Sequence, residues 1–256
     1  MATGSHIIAN GVNTYYESYG EGAPLLALHG AFSSAETFSA LAPILAKHVR
    51  VIVPERRGHG RTADMEGPLS YDVMAQDTIA FMGALGIERA SVVGYSDGAN
   101  VGMLMAMAQP SLVDKFVSIS GNFDARGLDE GTITFFREAT AESLPDAFGE
   151  EYKRLSPDGP EHWPIVFEKT KRMILNEPNI APADLAKITA RTLVMCADRD
   201  LMSLEHSTGL FRAIPDAQLC VVPGTSHLLL YERPELVHQL ILSFLTEEVQ
   251  KIDIGL

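Results

Sequence analysis

The sequence predicts an α/β protein: a mostly parallel sheet flanked by helices on both faces, with a helical lid inserted before the last two strands. Three observations predict it. Short apolar strands alternate with helical stretches from residue 24 to residue 120 and again after residue 190. Between about Gly121 and Ala190 the strand pattern stops, and helical pieces separated by Pro and Gly replace it. Third, Val92-Val93-Gly94-Tyr95-Ser96-Asp97-Gly98-Ala99-Asn100 reads as a strand, a Gly-x-Ser-x-Gly corner and the start of a helix. The expected units are a core of residues 1–120 and 191–256 and a cap of residues 121–190.

Each element has a local reason. Residues 6–19 read as a β-hairpin, because Asn10-Gly11 is a two-residue turn signal and Val12, Thr14 and Tyr16 alternate after it. Pro24–Leu28 is a buried strand. Ser33, with Glu36 three residues on, predicts a capping box and a helix through Phe38, Leu41, Ile44 and Leu45 to about His48. Val49–Val53 is the next strand. Ser70 and Gly86 bracket a helix that ends at Leu85. Ala90–Val93 is a strand, Asp97–Gln109 a helix stopped by Pro110, and Lys115–Ile119 a strand. Met103, Met105 and Met107 read as core filler. The cap should hold helices near 131–142, 144–155, 161–176 and 182–188. Thr192–Cys196 and Gln218–Val222 complete the sheet, with a helix from Ser203 between them and a last helix from Pro234.

Composition narrows the function classes. The 256 residues are 46% hydrophobic and 21% charged, enough for one sizeable core. A net charge of −13 argues against nucleic acid and anionic membrane as partners. No run of about 18 apolar residues predicts a membrane span, and the residues from Met1 to His6 have no signal-peptide pattern, so a cytoplasmic location is expected. Cys196 and Cys220 fall in expected buried strands and read as reduced core thiols. No zinc-ligand spacing or phosphate loop occurs, so neither metal nor cofactor is expected.

The chemistry gathers at the carboxyl ends of the strands, where ligands bind such sheets. Ser96 is the expected nucleophile, because Gly94 and Gly98 lack the Cβ atoms that would hold strand and helix apart. The Asp97 N–H, at the positive end of a helix, faces the position of an oxyanion. A serine hydroxyl needs a base, and His227, just past the last strand, is placed to supply it. The base acts only while neutral, so activity should fail below about pH 6, where ordinary histidine protonates. Asp200, Asp198 or Asp124 can supply the carboxylate that orients the imidazole. Ala31 is the expected second oxyanion donor, with Phe32 next, while His29 reads as a loop-shaping residue.

Together these pieces resemble the α/β-hydrolase fold serine hydrolases. The matching motifs are Leu28-His29-Gly30-Ala31-Phe32, Arg57-Gly58-His59-Gly60-Arg61-Thr62, Gly94-Tyr95-Ser96-Asp97-Gly98, Ala197-Asp198-Arg199-Asp200 and Gly224-Thr225-Ser226-His227 followed by Glu232-Arg233-Pro234-Glu235. They span about residues 10–246, in the order Ser, Asp, His that this family shares. The resemblance implies Asp200 as the acid, because the family's acid lies three residues after a small residue ending the strand. Ala197 stands where the family usually has Gly, and Met202-Ser203 where it usually has Val-Pro. It also implies that Arg56, Arg57 and Arg61 order a structural loop. Ser96 argues against haloalkane dehalogenases and epoxide hydrolases, which carry Asp at the elbow.

The implied activity is cofactor-independent hydrolysis of a small carboxylic ester or lactone. Ser96, Asp200 and His227 would form the triad and an acyl-enzyme, with Ala31 and Asp97 as the oxyanion hole. Phe32, Asp97 and Trp163 are the expected substrate contacts. The Ser-Asp-Gly elbow resembles the valacyclovir hydrolase group, where the corresponding Asp accepts a substrate α-amino group. The other reading of Asp97 is a carboxylate that complements the helix N-terminus. The same triad serves carbon–carbon bond hydrolases and cofactor-free perhydrolases. The fold also carries non-catalytic ligand receptors, which would bind without turnover.

Overall fold

The computed structural model describes residues 3–247; residues 1–2 and 248–256, the two ends of the expected core, lie outside the described residues. Thr3–Ala9 (β1) and Val12–Tyr19 (β2) form the antiparallel hairpin, with Ala9 opposite Val12. Asn10 and Gly11 both take positive φ, 49° and 77°, the geometry an Asn-Gly turn supplies. The other strands are Pro24–Leu28 (β3), Arg50–Pro54 (β4), Ala90–Tyr95 (β5), Val113–Ile119 (β6), Arg191–Arg199 (β7) and Ala217–Ser226 (β8). They lie in the order β1-β2-β4-β3-β5-β6-β7-β8. From β4 to β8 every neighbouring pair is parallel.

β5 lies between two parallel neighbours, which explains its uninterrupted apolar run. Val92 packs with Leu26, Met74 and Phe116 on one face. Val93 packs with Leu25, Phe38 and Ile119 on the other. Period-two alternation here divides two cores rather than core from solvent.

The helices depart from the sequence reading in several places. A continuous helix from Ser33 does not form. Ser34 instead caps a short 3-10 turn at Ala35–Phe38, its Oγ accepting from the Glu36 N–H, and a four-residue helix, Ala42–Leu45 (α1), follows. Pro43 lacks the N–H that a longer helix would need at that point. The next helix, Tyr71–Ala84 (α2), starts and stops as expected, with Gly86 at φ 69°. Its cap is not the Ser70 side chain, however. Glu177 accepts hydrogen bonds from Ser70 Oγ (3.1 Å) and Tyr71 N–H (3.0 Å). A carboxylate from a hundred residues away thus faces the helix's positive end.

Asp97–Ala108 (α3) follows β5. Between β6 and β7 come Glu130–Glu138 (α4), Asp146–Leu155 (α5), Trp163–Asn176 (α6) and a 3-10 stretch at Pro182–Lys187. The apolar faces of α4, α5 and α6 meet in a third cluster with Phe32, so these helices sit at the carboxyl edge of the sheet, while Leu185 of the 3-10 stretch packs into the core that holds Val92. Leu204–Ala213 (α7), Leu229–Glu232 (α8) and Pro234–Thr246 (α9) complete the chain, α8 being absent from the sequence reading. No helix among the described residues is long and apolar enough to cross a membrane.

Cys196 is buried, but Cys220 is only partly so, because β8 is the edge strand. Met195, not Cys196, pairs with Cys220, which turns the two thiols to opposite faces.

One buried carboxylate ties the helical segment to the core. Asp64 accepts from Lys169 Nζ at 2.5 Å and pairs with His162 Nε2 at 2.9 Å, with only 4% of its side chain exposed. Burial pushes this carboxyl up, but its bonds to Lys169 and His162 outweigh that and hold it below the usual range. Asp64→Asn should therefore cost about 2 kcal/mol, between the exposed and fully buried cases. Hydrogen exchange along α6 should speed up accordingly, and unchanged protection there would contradict the tether.

Candidate active site

The corner after β5 holds Ser96 at φ 54° and ψ −120°, outside the regions that a side chain adopts without strain. The surroundings over-determine it. The Ser96 N–H donates to Ile119 O (2.8 Å), and Ser96 O accepts from Ala99 N–H (2.8 Å). A Cβ on Gly94 would strike the Gly98 carbonyl and the Ala99 backbone; one on Gly98 would strike the Leu28 and His29 carbonyls. Both obstacles are backbone and cannot swing aside. Gly98→Ala should therefore cost at least about 3 kcal/mol, the upper range for overpacking, readable as a lowered urea midpoint. A midpoint within error of the parent protein's would refute the close-approach argument.

Ser96 Oγ lies 2.9 Å from His227 Nε2, and His227 Nδ1 lies 2.6 Å from Asp200 Oδ1. Asp200 is held from several sides. Its Oδ1 also accepts from Leu201 N–H (2.8 Å), and its Oδ2 accepts from Ala197 N–H (3.0 Å) and Ser120 Oγ (2.5 Å). Burial pushes the Asp200 carboxyl up, yet the bonds from His227, Ser120 and Ala197 outweigh it and hold it below the usual carboxylate range. The ionised carboxylate fixes the Nδ1–H tautomer, leaving Nε2 as the acceptor toward Ser96.

The other two carboxylates have different work. Asp198 accepts from the N–H groups of Gly224 (2.9 Å) and Thr225 (3.1 Å), shaping the loop that carries His227. Asp124 pairs with Arg126 at 2.5 Å. The His227 loop is held further by Tyr95, whose hydroxyl donates to His227 O (2.9 Å), and by Glu232, which accepts from Ser226 N–H (2.7 Å) and Oγ (2.8 Å).

His29 is buried and cannot reach Ser96's proton. Its Nδ1 donates to Gly30 O (2.8 Å), and its Nε2 accepts from Arg56 N–H (3.3 Å). Burial, then the Arg56 and His59 charges, push it well below an ordinary histidine. The Arg56 guanidinium donates to the His29 and Gly30 carbonyls. Arg57 pairs with Asp77 at 2.6 Å, and Arg61 with the fully buried Glu55 at 2.6 Å. The arginines thus order the loops around Ala31.

A cavity of about 850 Å³ opens over Ser96 and His227. Ala31, Phe32 and Asp97 line it, together with Phe135, Phe136 and Phe148 from the helical segment. Trp163 does not line it: the indole packs edge-on behind Phe32, ring centroids 5.8 Å apart, and donates to Ala141 O. Phe32 itself has φ 55°, which turns this loop into the cavity. The Asp97 N–H is a helix-start donor without an intrahelical partner.

Asp97 is buried, 4% exposed. Its Oδ1 accepts from the Tyr71 hydroxyl (2.7 Å), while its Oδ2 has no partner. Burial pushes this carboxyl up, against the pull of Arg56, Tyr71 and His227. Tyr71, Tyr95, Ser120 and Asn122 also reach the cavity, and the sequence reading missed all four. Only Tyr95 carried a local signal, its place inside the elbow. Among the described residues no three His, Cys, Asp or Glu side chains converge where a metal ion could sit.

Such an arrangement can activate a hydroxyl and shelter an acyl group from water. Comparison with known proteins agrees with the fold. A model of the alpha/beta hydrolase family matches residues 25–240. RutD of Azorhizobium caulinodans, provisionally named a carbamate hydrolase, is 27% identical, with 91% of this chain and 95% of that protein covered. The human serine hydrolase BPHL is 26% identical over 88% of this chain and 80% of its own. The solved structure of Est816, described as an N-acyl homoserine lactone degrading enzyme, superposes with a TM-score of 0.75 at 26% identity, covering 94% of this chain and all of that one. The chain therefore belongs to the alpha/beta hydrolase family.

Proposed function

We propose that the protein is a serine hydrolase that cleaves a small carboxylic ester or lactone through an acyl-enzyme. The hydrogen-bonded line from Ser96 through His227 to Asp200, at the floor of a largely apolar cavity, carries this reading. Ser96 Oγ attacks the carbonyl carbon as His227 Nε2 takes its proton. The N–H groups of Ala31 and Asp97 receive the oxyanion. Collapse of the tetrahedral adduct expels the alcohol, which takes the proton from His227. Water then attacks the acyl carbon as His227 takes its proton; collapse breaks the Ser96 Oγ–acyl bond, His227 returns the proton to Oγ, and the acid leaves. The segment of residues 121–190 acts as a lid that keeps the acyl group dry. The name of Est816 supports a lactone and that of BPHL a serine nucleophile.

The test is covalent trapping. A fluorophosphonate should add one phosphonyl group, found by peptide mass spectrometry on Ser96, and hydrolysis of p-nitrophenyl butyrate should fall in step with labelling. Labelling at another residue, or turnover that survives full labelling, would overturn the reading.

A further inference from the structure

Arg56 is a buried cation that touches no carboxylate. Arg57 reaches Asp77 and Arg61 reaches Glu55, both at 2.6 Å, whereas among the described residues no carboxylate bonds the Arg56 side chain. Its two terminal nitrogens donate instead to the His29 carbonyl and, at 3.0 Å, to the Gly30 carbonyl, and its Nε is buried without a partner. A buried guanidinium is costly unless an opposite charge lies close by. Asp97 carries that charge. The same His29 carbonyl lies 2.7 Å from where a Cβ on Gly98 would stand, which puts the guanidinium beside the start of α3. Burial lowers Arg56 to about 10, and Asp97 leads the groups that hold it up. Burial likewise raises the Asp97 carboxyl, and Arg56 leads the groups that pull it back down. Tyr71 fixes this carboxylate through Oδ1 at 2.7 Å, and Oδ2 is buried, so neither oxygen is left for a ligand.

Both effects of Arg56 converge on the proposed oxyanion hole. The Gly30 carbonyl and the Ala31 N–H belong to one planar trans peptide and point in opposite directions. Holding that carbonyl therefore fixes the direction of the N–H, and polarising it makes the N–H a better donor. Asp97 supplies the second N–H, but its carboxylate is a negative charge near the place where the oxyanion forms. We propose that Arg56 is the positioning residue of the oxyanion hole, aiming the Ala31 N–H through Gly30 and balancing the Asp97 carboxylate. The inference rests on the ester reading above. Arg56 touches no reacting atom, so its removal should lower kcat and leave KM nearly unchanged.

The experiment compares the parent with Arg56→Met, Arg56→Lys, Asp97→Asn and the Arg56→Met/Asp97→Asn double variant, in turnover of p-nitrophenyl butyrate and in urea unfolding. Arg56→Met should lose about 100-fold in kcat, the scale of one oxyanion donor, with KM within about threefold. Adding Asp97→Asn should recover about tenfold of that loss, because no unbalanced carboxylate then faces the oxyanion. Arg56→Lys keeps the charge but lacks the planar fork that spans two carbonyls, so its kcat should fall between those of parent and Arg56→Met. A kcat for Arg56→Met within about threefold of the parent, or a loss confined to KM, would overturn the positioning role. A double variant as slow as Arg56→Met would overturn the charge balance. In urea, the two single changes should depart from additivity by about tenfold in the unfolding constant, and additive changes would refute the pair. If Arg56→Met folds only together with Asp97→Asn, that rescue shows the coupling. If neither folds, Arg56→Lys decides, and parent-like kcat in it overturns the proposal. If the parent turns over no ester, the ester reading falls, while the urea cycle, which needs no substrate, still decides whether Arg56 and Asp97 form a charge pair.

Discussion

Ser96→Ala is expected to lower kcat on p-nitrophenyl butyrate by about 10⁶-fold, the scale seen when a hydrolase loses its nucleophile. The substitution removes one oxygen, and the backbone at φ 54° is as strained for Ala as for Ser. The Ser96 N–H and carbonyl keep their bonds to Ile119 and Ala99. Thermal stability should therefore stay within a few degrees of the parent, which separates lost chemistry from lost fold. A variant that keeps more than about 1% of parent kcat would remove Ser96 from the role of nucleophile, since donors and binding alone supply far less.

Asp200→Asn is expected to cost about 10⁴-fold in kcat, and Asp198→Asn about tenfold at most. The asymmetry follows from the contacts. An amide at position 200 can aim N–H rather than oxygen at His227 Nδ1, which drives the ring proton to Nε2 and ends acceptance from Ser96. At position 198 the change weakens two backbone bonds in the turn that carries His227, and Tyr95 and Glu232 still hold that loop. If Asp198→Asn were the more damaging change, the proposed acid would be misassigned.

Stability gives an independent readout. The Asp200 carboxyl is held below its ordinary value, so its stabilising contribution is complete above about pH 4. That contribution is lost as pH falls through the lowered folded-state value. The unfolding free energies of parent and Asp200→Asn should accordingly converge in acid, draw apart as pH rises toward about 4 and stay apart above it. Parallel curves across that range would show that Asp200 is not the charged partner.

Strands and elbow could be read from the chain because their causes are local. Val92-Val93 beside Gly94 and Gly98 allows few geometries, and Asn10-Gly11 closes its hairpin without outside help. The approximate bounds of the helices between residues 121 and 190 were legible for the same reason. The long helix expected after Ser33 failed because Pro43 outweighed an attractive cap.

Local motifs and chain order pointed to Ser96 and His227, and the family resemblance implied Asp200 over Asp198 and Asp124, but distance along the chain says nothing of distance in space. Only the parallel register of β5, β6, β7 and β8 brings residues 96, 120, 200 and 227 to one edge. The capping of α2 by Glu177, the Asp64 tether and the Tyr71–Asp97 bond all join residues at least 26 positions apart. Aromatic composition likewise suggested Trp163 as a substrate contact, whereas packing places it behind Phe32 and presents Phe135, Phe136 and Phe148 to the cavity instead. Which side of a lid helix meets the cavity depends on how that helix docks. Docking is settled by the shape of the whole core, and no local pattern in α5 encodes it.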